Sequence, residues 1–345
     1  MEKAIRLGKP VVTADKALLA KDGNPLIQLA DEHKVLIGFE ASVAGAIPVI
    51  NHVKNNPPGN TFHSVSGIVN GTSNFILTSM QEDAIDYATA LKNAQDKGYA
   101  EADPSADVEG RDAANKLAIL SAMTLKVPFT DTIFREGISQ ITPPDIKAAA
   151  ECGYVIKPLA IACETDRGVY RAVYPALIPK EHRFATVKYE ENAVSLKGDL
   201  TGELTLCGPG AGAKPTASAV MADISQAAKS IATPHSRAEY SLGFPCSELT
   251  DKPVIPPGDL QTEFLLCGEV NRGQGCTLES LSATLEHRGV MVKEVVQIQT
   301  TSPGEPETVH LLTEKAQESK ITSILDDHLP SFRKIRVAPF DLGGD

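Results

Sequence analysis

The segment from residue 94 to 116, AQDKGYAEADPSADVEGRDAANK, carries a high density of side chains that could do chemistry. Five carboxylates and one ammonium occupy its last 16 residues: Glu101, Asp103, Asp107, Glu109, Asp112 and Lys116. Asp112 and Lys116 stand four residues apart, so they share one face if the chain is helical there. A fixed acidic cluster beside a lysine suits binding of a substrate ammonium and proton transfer at a nearby oxygen.

The same segment also fits a purely structural role. Acidic loops that contain Asp-Pro often form solvated turns and helix caps. An exposed pair such as Asp112 with Lys116 contributes only ~0.3–0.5 kcal/mol. Gly98, Tyr99 and Gly110 frame the loop and indicate a fixed shape, which favours a binding site. From the residues alone, both interpretations stay open.

Alternating helices and short apolar strands are predicted for the first 40 residues. The patterns of residues 10–14 and 35–39 predict two buried strands, and Asp15 can cap the helix between them. Such alternation is typical of a parallel α/β sheet. Further helices are predicted at 44–56, from Asn70 onward, at 83–97 and, with an amphipathic pattern, at 112–125.

The second half of the chain changes character twice. Strand-like alternation spans residues 155–196, and the Gly-rich segment 208–212 leads into an Ala-rich helix at 216–231. The segment PVIPPG at 253–258 predicts a domain boundary. Six elements then follow in the β-α-β-β-α-β order of ferredoxin-like domains: 264–266, 277–287, 291–299, 308–312, 320–328 and 334–337.

Composition and charge argue against several classes of protein. The 345 residues include 33 Lys and Arg against 44 Asp and Glu, a net charge of −11, with no basic run suited to nucleic acid. No apolar stretch approaches the ~20 residues that span a bilayer, and no secretory signal begins the chain. Six scattered cysteines without a C-x-x-C argue against a disulfide scaffold or a structural zinc site. We therefore expect a cytoplasmic protein with neither nucleic-acid nor membrane partners.

Several motifs resemble those of the homoserine dehydrogenases. Residues 94–116 fit the family's signature at Ala94, Gly98-Tyr99-Ala100, Asp103-Pro104, Asp107-Val108, Gly110, Asp112 and Lys116. Four further segments resemble the family in the expected order: GKPVVTADK at 8–16, FEASVAGAIP at 39–48, GIVNGTSNF at 67–75 and GPGAG at 208–212, followed by PTA at 215–217. Asp15 stands where the family usually has Asn, and Ala46 stands where it usually has Gly. The resemblance covers residues 5 to 235.

The resemblance implies NAD(P)-dependent interconversion of L-homoserine and L-aspartate 4-semialdehyde, a step in threonine, methionine and isoleucine biosynthesis. Lys116, with Asp112, would carry the proton, and Lys16 would flank the reacting oxygen. Substrate binding is implied for Glu101, Asp107, Gly71, Thr72 and Tyr99. Cofactor contacts are implied for Thr13, Ala14, Lys16, Gly208 and Gly212.

A monovalent cation loop is also implied, in which backbone carbonyls hold Na⁺ or K⁺. Its residues are Glu40, Val43, Gly45 and Ile47. Two of the implied roles have plain alternatives in the sequence. Gly71 and Thr72 also fit as the mere start of a helix, and Glu40 fits as an ordinary charge at a strand end.

The implied fold class combines α/β and α+β architecture in three parts. Residues 1–40 would be a remnant of a Rossmann NAD(P)-binding domain, and residues 41–252 an α+β catalytic domain with a mixed sheet. Within the latter, residues 205–235 would pack back on the cofactor side. Residues 259–340 resemble an ACT-like regulatory domain, although residues 271–275 match its usual turn only loosely. A homodimer or higher homo-oligomer is implied, and a threonine effector would fit the pathway.

The family's G-x-G-x-x-G turn is absent from this sequence. We therefore expect an amino-terminally truncated chain in which residues 10–39 lack an evident partner, and which binds NADP or NAD poorly and turns over slowly or not at all. One alternative is a non-catalytic amino-acid-binding or regulatory fragment. Another is an unrelated semialdehyde or hydroxy-acid dehydrogenase, which would not need carboxylates placed to meet an ammonium.

Overall fold

A computed structural model gives the structure of residues 1–55, 59–232, 240–270, 278–298 and 307–342. The helices of these parts are α1 Glu2–Arg6, α2 Lys16–His33, α3 Val49–Lys54, α4 Gly71–Glu82, α5 Tyr87–Asp96, α6 Ser105–Val108, α7 Arg111–Leu125, α8 Pro143–Glu151, α9 Ala213–Ala232, α10 Leu278–His287 and α11 Glu318–His328. The turn expected at residues 271–275 lies outside the described residues.

The strands are short in the first part and long in the middle of the chain. They are β1 Val11–Val12, β2 Ile37–Gly38, β3 Phe62–Ile68, β4 Phe134–Arg135, β5 Tyr154–Thr165, β6 Gly168–Pro179, β7 Glu191–Gly198, β8 Gly202–Pro209, β9 Val254–Ile255, β10 Gln261–Thr262, β11 Phe264–Val270, β12 Val292–Ile298, β13 Glu307–Thr313, β14 Ala316–Gln317 and β15 Arg333–Val337.

One mixed sheet runs through most of the molecule in the order β12-β13-β11-β15-β6-β5-β3-β7-β8. Its longest ladder is the antiparallel β5–β6 hairpin, which pairs Tyr154 with Pro179 at one end and Thr165 with Gly168 at the other. The opposite edge of β6 pairs in parallel with three strands in succession, β9, β4 and β15. A mixed α/β architecture built on a mixed sheet is therefore confirmed.

The two strands predicted near the start of the chain are present and pair with each other in parallel, Val11 opposite Ile37. The Asp15 side chain caps α2 by accepting the Leu18 N–H at 3.0 Å. The expectation that this segment lacks a partner is wrong, because α9 packs against both strands and the Ile37 N–H donates to Ser241 Oγ. Residues far along the chain thus cover the first strands.

Two predicted helices are shorter than their patterns suggested. The helix expected at 44–56 begins at Val49, because Ala44 and Gly45 have φ values of 53° and 46°, which an α-helix cannot contain. The helix expected at 83–97 begins only at Tyr87, after Ala84 with a φ of 52°. In both cases a left-handed residue delays the start of the helix.

Helix α7 was predicted to be amphipathic, and that prediction is wrong. Nearly every residue from Ala113 to Leu125 is buried, including Leu117, Ile119 and Leu120. The reason is that α7 lies between α2 and α3 on one side and β3, β5 and β6 on the other. A helix buried on all faces can hold a charged residue only where that residue is paired.

The C-terminal elements follow the predicted β-α-β-β-α-β order, and the order β12-β13-β11-β15 is antiparallel throughout. We call residues 264–337 the C-terminal module. Its strand β15 pairs in parallel with β6, Arg336 opposite Ala176, so the module continues the central sheet. The predicted boundary at 253–258 contains β9, which is itself paired with β6.

Within the ranges described above, none of the helices combines the length and apolar character that crossing a bilayer demands. Five of the six cysteines lie in those ranges, and all five are unpaired: Cys152, Cys163, Cys207, Cys246 and Cys267.

Candidate active site

A cavity of about 530 Å³ lies where the loops after β1, β2, β3 and β8 meet the start of α7. This volume falls in the range of ligand pockets, about 300–1,000 Å³. The wall is formed by segments of residues 14–16, 41–45, 70–72, 98–99, 107–116 and 209–216, together with Glu190. Most of the residues singled out in the sequence therefore meet at one place.

Asp112 is the centre of the charged part of this cavity. Its Oδ2 lies 2.7 Å from Lys116 Nζ and its Oδ1 lies 3.2 Å from Lys16 Nζ. Burial alone raises the pKa of Asp112, but the two lysines and Asn70 outweigh burial and lower that pKa to about 2. Asp112 is therefore a carboxylate at neutral pH, and it joins two ammonium groups 100 residues apart in the sequence.

Lys116 is buried, with 11% of its side chain exposed, whereas the Lys16 side chain is 37% exposed. Lys116 Nζ also donates to the carbonyl of Val69 at 2.7 Å. The interpretation of Asp112 and Lys116 as an exposed surface pair is therefore wrong. Their i, i+4 spacing on α7 brings them together, and the packing around α7 removes them from water.

Asp107 lies beside Asp112 on the cavity wall. The Asn70 amide donates to Asp107 Oδ1 at 2.7 Å and to Asp112 Oδ2 at 2.9 Å. Burial raises the pKa of Asp107, and the Asp112 charge adds to that rise, while Asn70, Lys116 and Lys16 oppose it. Asn70 was noted in the sequence only as the start of a helix.

Gly71 and Thr72, at the start of α4, line the cavity together with Tyr99 from the loop after α5. The Asn70 side chain caps α4 by accepting the Ser73 N–H at 2.8 Å. The Thr72 hydroxyl donates to the carbonyl of Tyr99 at 2.6 Å, which ties the helix to the 98–99 loop. A Cβ at Gly71 would lie 2.9 Å from the backbone oxygen of Glu190, so no side chain fits there.

Glu101 is exposed and does not contribute to the cavity wall. Glu190, which the sequence did not single out, does line it, from the loop between β6 and β7. No motif or spacing marked Glu190, because it lies 74 residues beyond Lys116, where the acidic segment ends. The carboxylates that line the cavity in the described residues are therefore Asp107, Asp112 and Glu190.

The Gly-rich segment after β8 lies against the loop that contains Gly45. The Ala46 N–H donates to the Pro209 carbonyl at 3.1 Å, and a Cβ at Gly45 would lie 2.7 Å from the Gly210 carbonyl. Of the residues proposed for cofactor contact, Ala14, Lys16 and Gly212 line the cavity. Thr13 and Gly208 do not line it; they are the neighbours of residues that do.

Glu40 is buried, with 2% exposure, and its carboxylate accepts the N–H groups of Ile50 at 3.0 Å and Asn51 at 2.7 Å, at the start of α3. Burial raises its pKa to about 7, although these two hydrogen bonds oppose the rise. Glu40 is thus a buried helix cap rather than an ordinary strand-end charge. Val43, Gly45 and Ile47 are buried as well, and Gly45 also lines the cavity.

A second polar cluster lies away from the cavity, between α8 and the C-terminal module. Asp145, Cys267 and His310 are buried there, with potential metal-ligand atoms within 4.8 Å of one another. Both oxygens of Asp145 already have partners, His310 Nε2 at 2.9 Å on one side and Arg333 at 2.5 Å on the other. The Arg333 charge neutralises the carboxylate, so this cluster is a salt bridge that joins two parts of the fold.

Comparison with known proteins gives a consistent result. The profile of the family described as homoserine dehydrogenase matches residues 48–225. A homoserine dehydrogenase of Neisseria gonorrhoeae is 38% identical over 324 residues, which is 94% of this chain and 74% of that protein. One of Mycobacterium tuberculosis is 41% identical over 338 residues, covering 94% and 75%.

Solved structures give the same result. The crystal structure of a homoserine dehydrogenase from Thiobacillus denitrificans matches with a TM-score of 0.90 and 37% identity over 98% of this chain and 78% of that one. A hyperthermophilic archaeal homoserine dehydrogenase mutant in complex with NADPH matches with a TM-score of 0.58 and 28% identity, covering 66% of each chain.

Proposed function

Since the chain belongs to the homoserine dehydrogenase family, we propose that its cavity binds L-homoserine or L-aspartate 4-semialdehyde beside NAD(P), with Lys16, Asp112 and Lys116 at the reacting oxygen. The family consists of NAD(P)-dependent oxidoreductases. The observation that carries the proposed residue roles is the convergence of two ammonium groups on one carboxylate at a cavity wall.

The number of donors on each lysine supports the assignment of the oxygen site. An ammonium has three N–H donors. Lys116 uses one toward Asp112 and one toward the Val69 carbonyl, which leaves one for a substrate oxygen. Within the parts of the chain that the structure describes, the Lys16 ammonium pairs with Asp112, and its side chain is partly exposed at the cavity. The two lysines together can stabilise an alkoxide-like oxygen. Lys116 lies closer to Asp112 than Lys16 does, so we assign the proton transfer to Lys116.

The amine end of the substrate is proposed to bind at Asp107. Its carboxylate faces the same cavity as the lysines, so one small amino acid can contact both. A charge-assisted hydrogen bond to the α-ammonium would select amino acids over plain alcohols. Gly71, Thr72 and Tyr99 form the adjoining wall. Glu101 stands outside that wall, so the amine-binding proposal depends on Asp107.

The cofactor side is proposed to include Ala14, Lys16 and Gly212, with Thr13 and Gly208 supporting them. Bound NAD(P) would supply the hydride acceptor or donor. The fit is supported by the Gly45–Gly210 contact, where neither residue leaves room for a side chain beside the cavity. Gly212 also directly precedes the 20-residue helix α9, and free N–H groups at a helix start favour an anionic group. Both NADP and NAD remain candidates.

We also propose the finer features that the family resemblance implied. These are a Na⁺ or K⁺ site at the carbonyls of residues 40–47, a homodimer or larger homo-oligomer, and an ACT-like threonine-responsive domain at 259–340. The β-α-β-β-α-β topology supports the last. The division into a Rossmann remnant at 1–40 and a catalytic domain at 41–252 is likewise a proposal, supported by the parallel β1–β2 pair.

The test is an assay of homoserine-dependent reduction of NADP⁺ and NAD⁺ by the purified chain and by Lys116→Met. Loss of the buried ammonium should lower kcat by about 10²–10³-fold. Lys126→Met is the matched control, because Lys126 directly follows α7 but pairs with exposed Glu248. If the wild-type chain turns over and Lys116→Met is equally active, the assignment of the oxygen site is refuted. Homoserine binding by calorimetry without any turnover would favour the regulatory-fragment alternative.

A further inference from the structure

Asn70 occupies a position between the two carboxylates of the site. It is 4% exposed and lies at the junction of β3 and α4. Its Oδ1 accepts the Ser73 N–H at 2.8 Å. Since that bond commits the oxygen to the helix, the amide nitrogen must face Asp107 and Asp112, which it contacts at 2.7 and 2.9 Å. Both of its N–H groups are thereby used.

The two carboxylates are not equally supported by positive charge. Asp112 contacts both Lys16 and Lys116. Asp107 forms no salt bridge with any residue in the described parts of the chain, and the donor to its carboxylate there is Asn70. Two neighbouring carboxylates repel each other, and this repulsion favours protonation of one of them unless a hydrogen-bond donor lies between them. The Asn70 amide is that donor.

We propose that Asn70 is a positioning residue, which holds Asp107 beside Asp112 so that Asp107 stays available to the substrate's ammonium while Asp112 stays with the lysines. This inference rests on the proposed function of the cavity. The same side chain starts α4, so the entry to the helix and the spacing of the two carboxylates are set by one residue.

Two substitutions separate these two duties of Asn70. Asn70→Ser keeps an oxygen that can cap α4 but removes the amide donor. Asn70→Asp keeps the cap and the shape but puts a third carboxylate beside the other two. Asn74→Ser is the matched control: Asn74 lies on the same helix, is fully buried, and donates to the carbonyls of Val187 and Glu191 at 3.3 Å rather than to carboxylates.

In the Asn70 variants we expect kcat/KM for homoserine to fall by about 10²-fold, as for misplacement of a binding group, with a larger fall for Asn70→Asp. The acidic limb of the pH profile of kcat/KM should move to higher pH in both, because Asp107 loses its donor. Asn74→Ser should lower thermal stability without moving that limb. An unchanged acidic limb in Asn70→Ser would overturn the inference.

A measurement without turnover distinguishes this inference from the proposed function. Carbon-13 NMR titration of aspartate side chains in the full chain reports the pKa of Asp107 directly. We expect that pKa to be higher in Asn70→Ser than in wild type, and unchanged in Asn74→Ser. If it rises as expected while the wild-type chain does not oxidise homoserine, the proposed function fails and the link to the substrate's ammonium fails with it, while Asn70 still sets the pKa of Asp107. If it does not rise in an active enzyme, the positioning role fails alone.

Discussion

Two groups of buried charges in this protein use similar chemistry for different ends. The cavity group consists of Lys16, Asp112 and Lys116, and the junction group consists of Glu136, Glu318 and Arg336. Arg336 is 1% exposed and its guanidinium makes bidentate contacts with both glutamates, at 2.5 to 2.9 Å. The cavity group is also tightly paired, but Lys16 remains 37% exposed beside open space.

The difference lies in the balance of charge and in whether an unused donor faces a cavity. Arg336 donates four of the five N–H groups of its guanidinium to the two glutamates. Lys334 lies 3.6 Å from Glu318, and its positive charge brings the net charge of these four residues to zero. The cavity group has two cations for one central carboxylate, with a donor of Lys116 left over. Burial alone therefore does not mark a functional site; unsatisfied donors that face a cavity do.

The largest expected effect concerns the junction group. Arg336→Met should lower the free energy of unfolding by about 3–5 kcal/mol, because it removes the bidentate partner of buried Glu318 and leaves Lys334, 3.6 Å from Glu318, to offset two carboxylates. The measurement is urea denaturation at neutral pH. Arg167→Met is the control, since its pair with Asp259 is exposed and should contribute at most about 1 kcal/mol. If the two variants lose similar amounts of unfolding free energy, the junction group does not stabilise the fold more than an exposed ion pair does.

The next largest effect concerns kcat, which should depend on the charges of the cavity and not on those beside the C-terminal module. Asp112→Asn should lower kcat for homoserine oxidation by about 10²–10³-fold, because both lysines lose the carboxylate that orients them. Asp145→Asn is an equally conservative change in the buried cluster of Asp145, Cys267 and His310, away from the cavity. It should leave kcat of the folded protein near the wild-type value. A comparable loss of kcat in both would mean that the two regions are coupled, and the comparison would fail.

The smallest effect is a pH dependence of stability. Hydrogen bonds from His310 and Thr142 and the charge of Arg333 outweigh burial and lower the pKa of Asp145 from 3.8 to about 2. A carboxyl with a lowered pKa stabilises the fold above its unfolded pKa, and this stabilisation is lost as the pH falls through the folded value.

The difference in unfolding free energy between wild type and Asp145→Asn should therefore stay constant above about pH 5. It should shrink by about 2 kcal/mol as the pH approaches 2. Equilibrium denaturation of both proteins across this range measures it. A difference that does not depend on pH would indicate that the pKa of Asp145 is the same in the folded and unfolded protein.

Much of the fold followed from local patterns. The cap at Asp15, the start of α4 at Asn70 and the order of the C-terminal elements were all predicted correctly, because caps and periodicity involve neighbouring residues. The starts of α3 and α5 were predicted too early, since nothing in the sequence requires a left-handed conformation at Ala44 or Ala84. The burial of α7 on all sides depends on which elements cover it.

The sequence by itself determined the contacts that span a few residues, such as the i, i+4 pair of Asp112 and Lys116. Only the tertiary structure decided that Lys16 reaches the same carboxylate, that Asn70 bridges to Asp107, and that Glu190 rather than Glu101 lines the cavity. The physical reason is that a helix repeats at short range, whereas distant loops meet only where the sheet and its covering helices bring them together.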